Sequence, residues 1–374
     1  MKVRGAVLRE MGLEPPYAES RPLEVMELEL DGPRAGELLV RVRAAGLCHS
    51  DLSVIDGSRP RVMPMVLGHE AAGEVVEVGP DVEGFSVGDH VVTTFVPACG
   101  HCEPCRDGRA PLCVPGAAAN TAGTLLSGER RWRGFDGELH HHLGISAFAE
   151  HAVVSARSAV RVDPELPFEV AALFGCAVLT GVGAAANAAH VRMGDRVAIF
   201  GLGGVGLAAL LGAVAAGATT IVASDRVQSK LDLALELGAT HTVMAGPSAV
   251  EEVRAATGGG ADAVIETVGN AAVLAEAYAA TRRGGVTVTV GLPHPSKQLS
   301  ISAVSLVAEE RTLRGSYLGS GVPALDVPRY IDAYKAGKLP VDRLLTHRIS
   351  LDEINEGFDR LASGEAVRQA ILFE

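Results

Sequence analysis

All six cysteines of the chain can be assigned to metal sites. Four form a tight cluster, Cys99-x2-Cys102-x2-Cys105-x7-Cys113, with Gly100, Pro104 and Gly108 between them. Four thiolates around one Zn²⁺ make a closed tetrahedron with no room for substrate, so this set reads as a structural site. An iron–sulfur cluster is the rival reading. The bacterial cluster run spaces its last cysteine closer and follows it directly with proline, so the seven-residue gap before Cys113 favours zinc.

The other two cysteines point to a different chemistry. Cys48 lies in Gly46-Leu47-Cys48-His49-Ser50-Asp51, and Cys176 in Phe174-Gly175-Cys176-Ala177-Val178-Leu179-Thr180-Gly181. With His69, in Gly68-His69-Glu70, they make two thiolates and one imidazole and leave a fourth position free, as a catalytic zinc requires. Two thiolates neutralise the formal charge of the ion, which moderates its Lewis acidity but suits an alkoxide ligand. Taken singly, each of these residues also reads as a buried structural side chain.

A third constellation is Gly201-Leu202-Gly203-Gly204-Val205-Gly206, a G-x-G-x-x-G run. Alone it is a weak signal. Here it follows the apolar Val197-Ala198-Ile199-Phe200 and opens an apolar helical stretch, which is the context a dinucleotide site needs. The first glycine permits a tight turn, the second lets backbone approach a pyrophosphate, and the third lets helix pack on strand. The helix N-terminus then offers N–H groups and a favourable dipole to the phosphates. Asp225 ends the next predicted strand. Its carboxylate can accept from both adenosine ribose hydroxyls and repels a 2′-phosphate, favouring NAD over NADP. Adjacent Arg226 softens that preference.

These residues need elements to hold them. Short predicted strands at 38–44, 72–78 and 90–95, with turn signals at Gly79-Pro80 and Gly88-Asp89, make the first part a β-rich domain with a partly open barrel. From about Pro167 strands alternate with helices: strands at 197–200, 220–223, 263–266 and 286–290, helices at 205–216 and 227–237. That alternation predicts a parallel, doubly wound sheet. The tail from Gly321 mixes helix with a final strand at 369–373. The expected organisation is α/β: 1–177 as the β-rich catalytic domain with a zinc lobe, 178–320 as a Rossmann NAD-binding domain, and 321–374 returning to the first. The Gly-rich stretch 117–144, with Arg130, Arg131 and Arg133 and ending in His140-His141-His142, reads as a solvated loop carrying some pocket-lining residues rather than a metal site.

A length of 374 residues fits about two domains. The net charge of −12 disfavours nonspecific binding to nucleic acid or to anionic membrane. Val197 to Ser224 carries no charge and is long enough to span a bilayer, but its crowded glycines favour a strand, a turn and a buried helix. The N-terminus has no signal-peptide core, so a cytoplasmic chain with reduced cysteines is expected.

Gly68-His69-Glu70-Ala71-Ala72-Gly73 with Val78-Gly79 downstream, the four-cysteine lobe, Gly175-Cys176 and the glycine fingerprint together resemble the zinc-dependent alcohol dehydrogenases of the medium-chain dehydrogenase/reductase superfamily. The likeness runs over essentially the whole chain. The long 117–144 region resembles the liver-type and glutathione-formaldehyde branches. The resemblance implies a Rossmann domain and a GroES-like domain, two zinc ions per subunit and NAD. It assigns Cys48, His69 and Cys176 as catalytic zinc ligands and the cysteine cluster as structural. Asp51 would hold His69 by its other ring nitrogen. Glu70 would sit beside the metal, and Ser50 would supply the hydroxyl that bonds the substrate oxygen and passes its proton toward the nicotinamide ribose. Lys230 matches a residue near the adenosine ribose and Arg368 a pyrophosphate contact. Thr180, Gly204, Val205 and His49 join Gly201, Gly203, Gly206 and Asp225 as expected cofactor neighbours. Phe95, His142 and Leu143 match the substrate pocket.

The departures are specific. Ser53 stands where many relatives carry the histidine that completes a proton relay. His49 replaces an arginine that often contacts the pyrophosphate, which weakens NADH retention and makes it pH-sensitive. His142 replaces a common aromatic pocket residue. Ala117 stands where the glutathione-dependent branch uses arginine, arguing against a glutathione adduct. The expected activity is reversible NAD-dependent oxidation of primary or secondary alcohols. The alternatives are a formaldehyde dehydrogenase linked to another thiol, a zinc-free enone reductase, which the intact ligands disfavour, and a non-catalytic NAD- or zinc-binding protein. A homodimer is expected, with a tetramer as the alternative, and the 299–318 stretch as an edge strand pair.

Overall fold

The strand Glu37–Gly46 is the spine of the first half of the chain. It pairs antiparallel with Ala71–Val78 on one edge, with His151–Ser155 along its first half and with Arg368–Leu372 along its last. In the computed structural model, which describes residues 1–134 and 137–374, this sheet continues through His90–Thr93, Ala159–Arg161 and Leu345–Ile349. A separate closed barrel is built from Lys2–Leu8, Leu23–Leu30, Trp132–Gly134, Gly137–His141 and Met65–Val66. Alternating apolar residues of the spine, among them Leu38, Val40 and Val42, bury one face against Phe148, Phe358 and Leu47. The Phe148 and Phe358 rings meet edge to face at 6.0 Å. Full burial of each such ring contributes roughly 2–3 kcal/mol.

The chain divides into two units. The first is Met1–Cys176 with Val322–Pro328 and Leu345–Glu374; the second is Ala177–Gly321 with Arg329–Leu344. Of the tail beyond residue 320, the part 329–344 therefore groups with the second unit.

The second unit is a parallel sheet of six strands in the order His241–Met244, Thr220–Asp225, Arg196–Phe200, Ala261–Glu266, Thr281–Thr289, Thr312–Gly315. The sequential strands run outward in both directions from the first, so the order reverses beside Arg196–Phe200, the place where such sheets bind nucleotides. The uncharged stretch from Val197 resolves into a buried strand, the helix Gly204–Ala215 and a second strand. Among the described residues no single helix is long and apolar enough to cross a membrane.

Two expectations need correction. The 117–144 stretch is not a solvated loop: it holds the helix Val114–Ala122 up to Ala122 and two barrel strands, with Arg131, Trp132, His141 and His142 buried. An ion pair with Glu37 makes the burial of Arg131 possible, while Arg130 and Arg133 pair with surface carboxylates. The 299–318 stretch forms one edge strand, Thr312–Gly315, and not a pair, because Ala303–Ala308 is helical.

Candidate active site

Cys48 ends the loop that leaves the spine strand and caps the helix His49–Ile55. Its N–H donates to Asp51 Oδ2 at 3.2 Å, one half of a capping box that fixes the first turn. The same carboxylate turns its other oxygen to His69, Nδ1 to Oδ1 at 3.0 Å. With the proton on Nδ1, the lone pair of His69 is left on Nε2, which lies 3.5 Å from Cys176 Sγ. Tetrahedral zinc with bonds of about 2.3 Å to sulfur and 2.0–2.1 Å to nitrogen sets that separation at roughly 3.5 Å. The donor atoms of Cys48, His69, Glu70 and Cys176 all lie within 4.8 Å of one another, and all four residues are buried. The donor set fits one ion.

The charges of the cluster compete: the hydrogen bond to Cys48, burial and the Cys48 charge push the Cys176 thiol up. A hydrogen bond from Cys176 holds the Cys48 thiol well below its ordinary range, against burial, with His69 adding to the effect. Burial pushes the Glu70 carboxyl up to about 7, against the pull of Arg368. Both Glu70 oxygens are buried without a hydrogen-bond partner, and Oε2 is 3.4 Å from Arg368 Nη2. Such an orphaned carboxylate beside three donors is what an ion would satisfy. Gly46 makes room for it: a Cβ there would fall 2.5 Å from Glu70 Oε1.

The four clustered cysteines also meet, with all donor atoms within 4.8 Å. Cys102 and Cys113 sulfurs are 3.9 Å apart, close to the roughly 3.8 Å edge of a zinc–sulfur tetrahedron. Backbone N–H groups of Cys99 and Gly116 donate to Cys113 Sγ, supporting a thiolate there.

Around His69 stand two more rings. Phe95 meets it edge to face at 5.4 Å and His142 at 5.5 Å. Leu143, with φ +52, follows His142 in a tight turn. Ser50 lies in the first turn of the helix His49–Ile55, whose first residue, His49, is exposed. Ser53 Oγ donates to the His49 carbonyl at 2.7 Å. Arg368 is buried and donates to the Leu47 carbonyl at 3.1 Å. Sequence reasoning missed Asn120, whose Nδ2 donates to the Phe95 carbonyl at 2.7 Å and so ties down the backbone at Phe95. No motif marks such a residue.

In the second unit the glycine run forms the expected turn. Gly201 has φ +91, a conformation that favours glycine, and a Cβ on Gly206 would collide with the Gly201 carbonyl. A Cβ on Gly203 would meet nothing within 4 Å, so open space lies over the helix N-terminus where a pyrophosphate would sit. Asp225 accepts the Leu202 N–H at 2.7 Å and the Val227 N–H at 2.9 Å. A carboxylate offers about four lone-pair sites, so acceptor capacity remains for ribose hydroxyls. Burial lowers the Lys230 pKa, with Asp225 pulling it back up. Thr180 lies on the helix Ala177–Gly183, which packs against Gly204–Ala215 so closely that a Cβ on Gly181 would strike the Val205 carbonyl.

Residues 34–164 match the alcohol dehydrogenase GroES-like domain and residues 204–336 the zinc-binding dehydrogenase family. The chain is 40% identical over its full length to an NDMA-dependent alcohol dehydrogenase of Amycolatopsis methanolica, covering 99% of that protein. It is 36% identical to S-(hydroxymethyl)glutathione dehydrogenase of Paracoccus denitrificans, with both chains fully covered. The crystal structure of benzyl alcohol dehydrogenase from Acinetobacter calcoaceticus superposes with a TM-score of 0.92 at 31% identity, again over all of both chains. A GroES-like β domain, a Rossmann-like sheet, two candidate zinc sites and full-length relatives agree: this chain belongs to the zinc-binding medium-chain alcohol dehydrogenase family.

Proposed function

We propose that the chain catalyses the reversible oxidation of primary or secondary alcohols to aldehydes or ketones with NAD, using zinc at Cys48, His69 and Cys176. The observation that carries this reading is the convergence of those three donors with the His69 tautomer set by Asp51. When bound, zinc supplies Lewis acidity toward the alcohol oxygen and NAD supplies the hydride acceptor. Cys48 and Cys176 supply the negative charge that holds the ion, and His69 supplies a neutral nitrogen. Ser50 is the hydroxyl that would accept the alcohol proton while passing its own toward the nicotinamide ribose. Phe95, His142 and Leu143 exclude water and shape the substrate. The turn at Gly201–Gly206 and the Asp225 carboxylate hold pyrophosphate and ribose. His49 and Arg368 are assigned to the phosphates, and Thr180 and Lys230 to the cofactor.

The test is a screen of short, aromatic and long-chain alcohols followed by NADH absorbance, beside a metal count. Two zinc ions per chain and NADH formation are expected. A Cys176→Ala variant with full turnover would sink the zinc mechanism.

A second reading concerns the electron acceptor. The relative named for NDMA dependence is 40% identical over the full length of this chain. Turnover with NAD alone, compared with turnover that needs NDMA, separates the two. Formaldehyde oxidation with and without thiols tests the thiol-linked alternative, which Ala117 disfavours for glutathione. A homodimer is the assembly we assign.

A further inference from the structure

Asp51 serves two imidazoles. Its Oδ1 lies 3.0 Å from His69 Nδ1 and 3.1 Å from His142 Nδ1, while Oδ2 takes the Cys48 N–H. Asp51 is 0% exposed and His142 1%. The His69 contact is a hydrogen bond; the His142 contact is as short but not aligned as one. A buried carboxylate needs its lone pairs matched, and a ring nitrogen 3.1 Å from Oδ1 is a polar neighbour that an apolar side chain cannot replace.

His142 is itself held firmly. Its N–H donates to Ser146 Oγ at 3.0 Å, and its carbonyl receives the Ile145 and Ser146 N–H groups. Leu143 and Ser146 in that turn have φ of +52 and +59, left-handed conformations that cost non-glycine residues about 1–3 kcal/mol each. The turn that carries His142 is thus held in a costly backbone conformation. The ring stands perpendicular to His69, at 87°, as Phe95 does at 88°.

We propose that His142 is a positioning residue for the metal ligand His69, acting through the shared Asp51 oxygen. It does not touch the metal. Its ring nitrogen holds the Asp51 oxygen in place beside His69 Nδ1, so that His69 keeps one orientation and one tautomer with its Nε2 toward the cysteines. Partners of this kind behind a ligand are worth about 10–100-fold in metal affinity. The inference rests on the reading that Cys48, His69 and Cys176 hold zinc.

The test compares His142→Phe with His142→Asn. Phenylalanine keeps a ring against His69 and removes the nitrogen; asparagine places an amide N–H where Nδ1 stood. Zinc release to a chromogenic chelator is followed for wild type and both variants, with cobalt spectra of the substituted site. Zinc kept by the four-cysteine lobe and an unchanged melting curve serve as fold controls. The expected result is release from the catalytic site at least about tenfold faster in His142→Phe, with a shifted cobalt band, and near wild-type release in His142→Asn. Release within twofold of wild type in His142→Phe, or equal loss in both variants, overturns the proposal. Should wild type bind only the single lobe zinc, the reading of the catalytic site fails instead, and the metal count reveals it.

Discussion

Arg131 and Glu37 form a two-pronged ion pair inside the protein: Nε donates to Oε2 and Nη2 to Oε1, each at 2.8 Å. Both side chains are almost wholly buried, and Glu129 and Ser127 complete the network. The pair ties the strand Trp132–Gly134 to the start of the spine strand. The Arg131 N–H also donates to His141 Nε2 at 3.1 Å, directly before His142.

Removing one partner leaves the other charge stranded in a low-dielectric setting. Arg131→Met should destabilise the protein by about 3–5 kcal/mol. Arg131→Met combined with Glu37→Gln should recover part of that loss, because no buried carboxylate is then left alone. Denaturant titration of the three proteins reads this directly. Equal stability of Arg131→Met and wild type would show that the pair contributes nothing.

His141 links stability to pH. Burial holds its imidazole down at about 3, and the charges of Arg131 and Arg130 push the same way. The unfolded chain protonates this group near the ordinary value of about 6.5, while the folded chain does not. The unfolded state therefore binds more protons between pH 6.5 and 3. The stabilisation is complete above 6.5 and is lost as pH falls through that window, at up to about 1.4 kcal/mol per pH unit. His141→Gln keeps an acceptor for the Arg131 N–H and cannot take up the proton. Its melting temperature should fall less steeply between pH 6.5 and 4.5 than that of wild type. Parallel slopes would remove His141 from the acid response.

Much of this was legible in the sequence, for a physical reason. Metal ligands and phosphate turns are local constraints: cysteine spacing, a histidine after glycine, glycines between a strand and a helix. Cys48, His69 and Cys176 therefore converge, the lobe cysteines form a second group, and Gly201 separately adopts its turn. The partners behind them are long-range. Arg131 and Glu37 are 94 positions apart, and Asp51 reaches His142 across a similar stretch, so no periodicity joins them. Arg131 in a Gly-rich stretch looks solvated until the fold supplies the buried Glu37, whereas Arg130 and Arg133 do reach the surface. The helix Ala303–Ala308 was misread because its short apolar run has the composition of a strand.

Ser53 is the position at which proton exit can be probed. Its hydroxyl is committed to the His49 carbonyl, so it offers no titrating group near neutral pH. Ser53→His introduces one with a pKa near 6.5 on the same helix face. Turnover near neutral pH should rise, with a new ionisation in the kcat profile. A profile identical to wild type would place Ser53 off the proton path.

The assembly prediction rests on the free edge of the parallel sheet. Among the described residues Thr312–Gly315 is its last strand and pairs with Thr281–Thr289 alone, which leaves its other edge open. Beside it in sequence, the helix Ala303–Ala308 has no buried residue, and Val304 and Val307 are 70% and 81% exposed. An open strand edge next to apolar side chains is an association surface, and proteins that remain monomeric cover or charge such edges. A second copy related by a two-fold axis would place the same edge and the same valines opposite themselves, which is the self-complementary contact of a closed dimer. Val307→Glu puts like charges face to face there. Light scattering should find wild type as a dimer and the variant shifted toward monomer, with a dissociation constant raised by at least about tenfold. A wild type that is monomeric, or a variant as dimeric as wild type, would place the interface elsewhere.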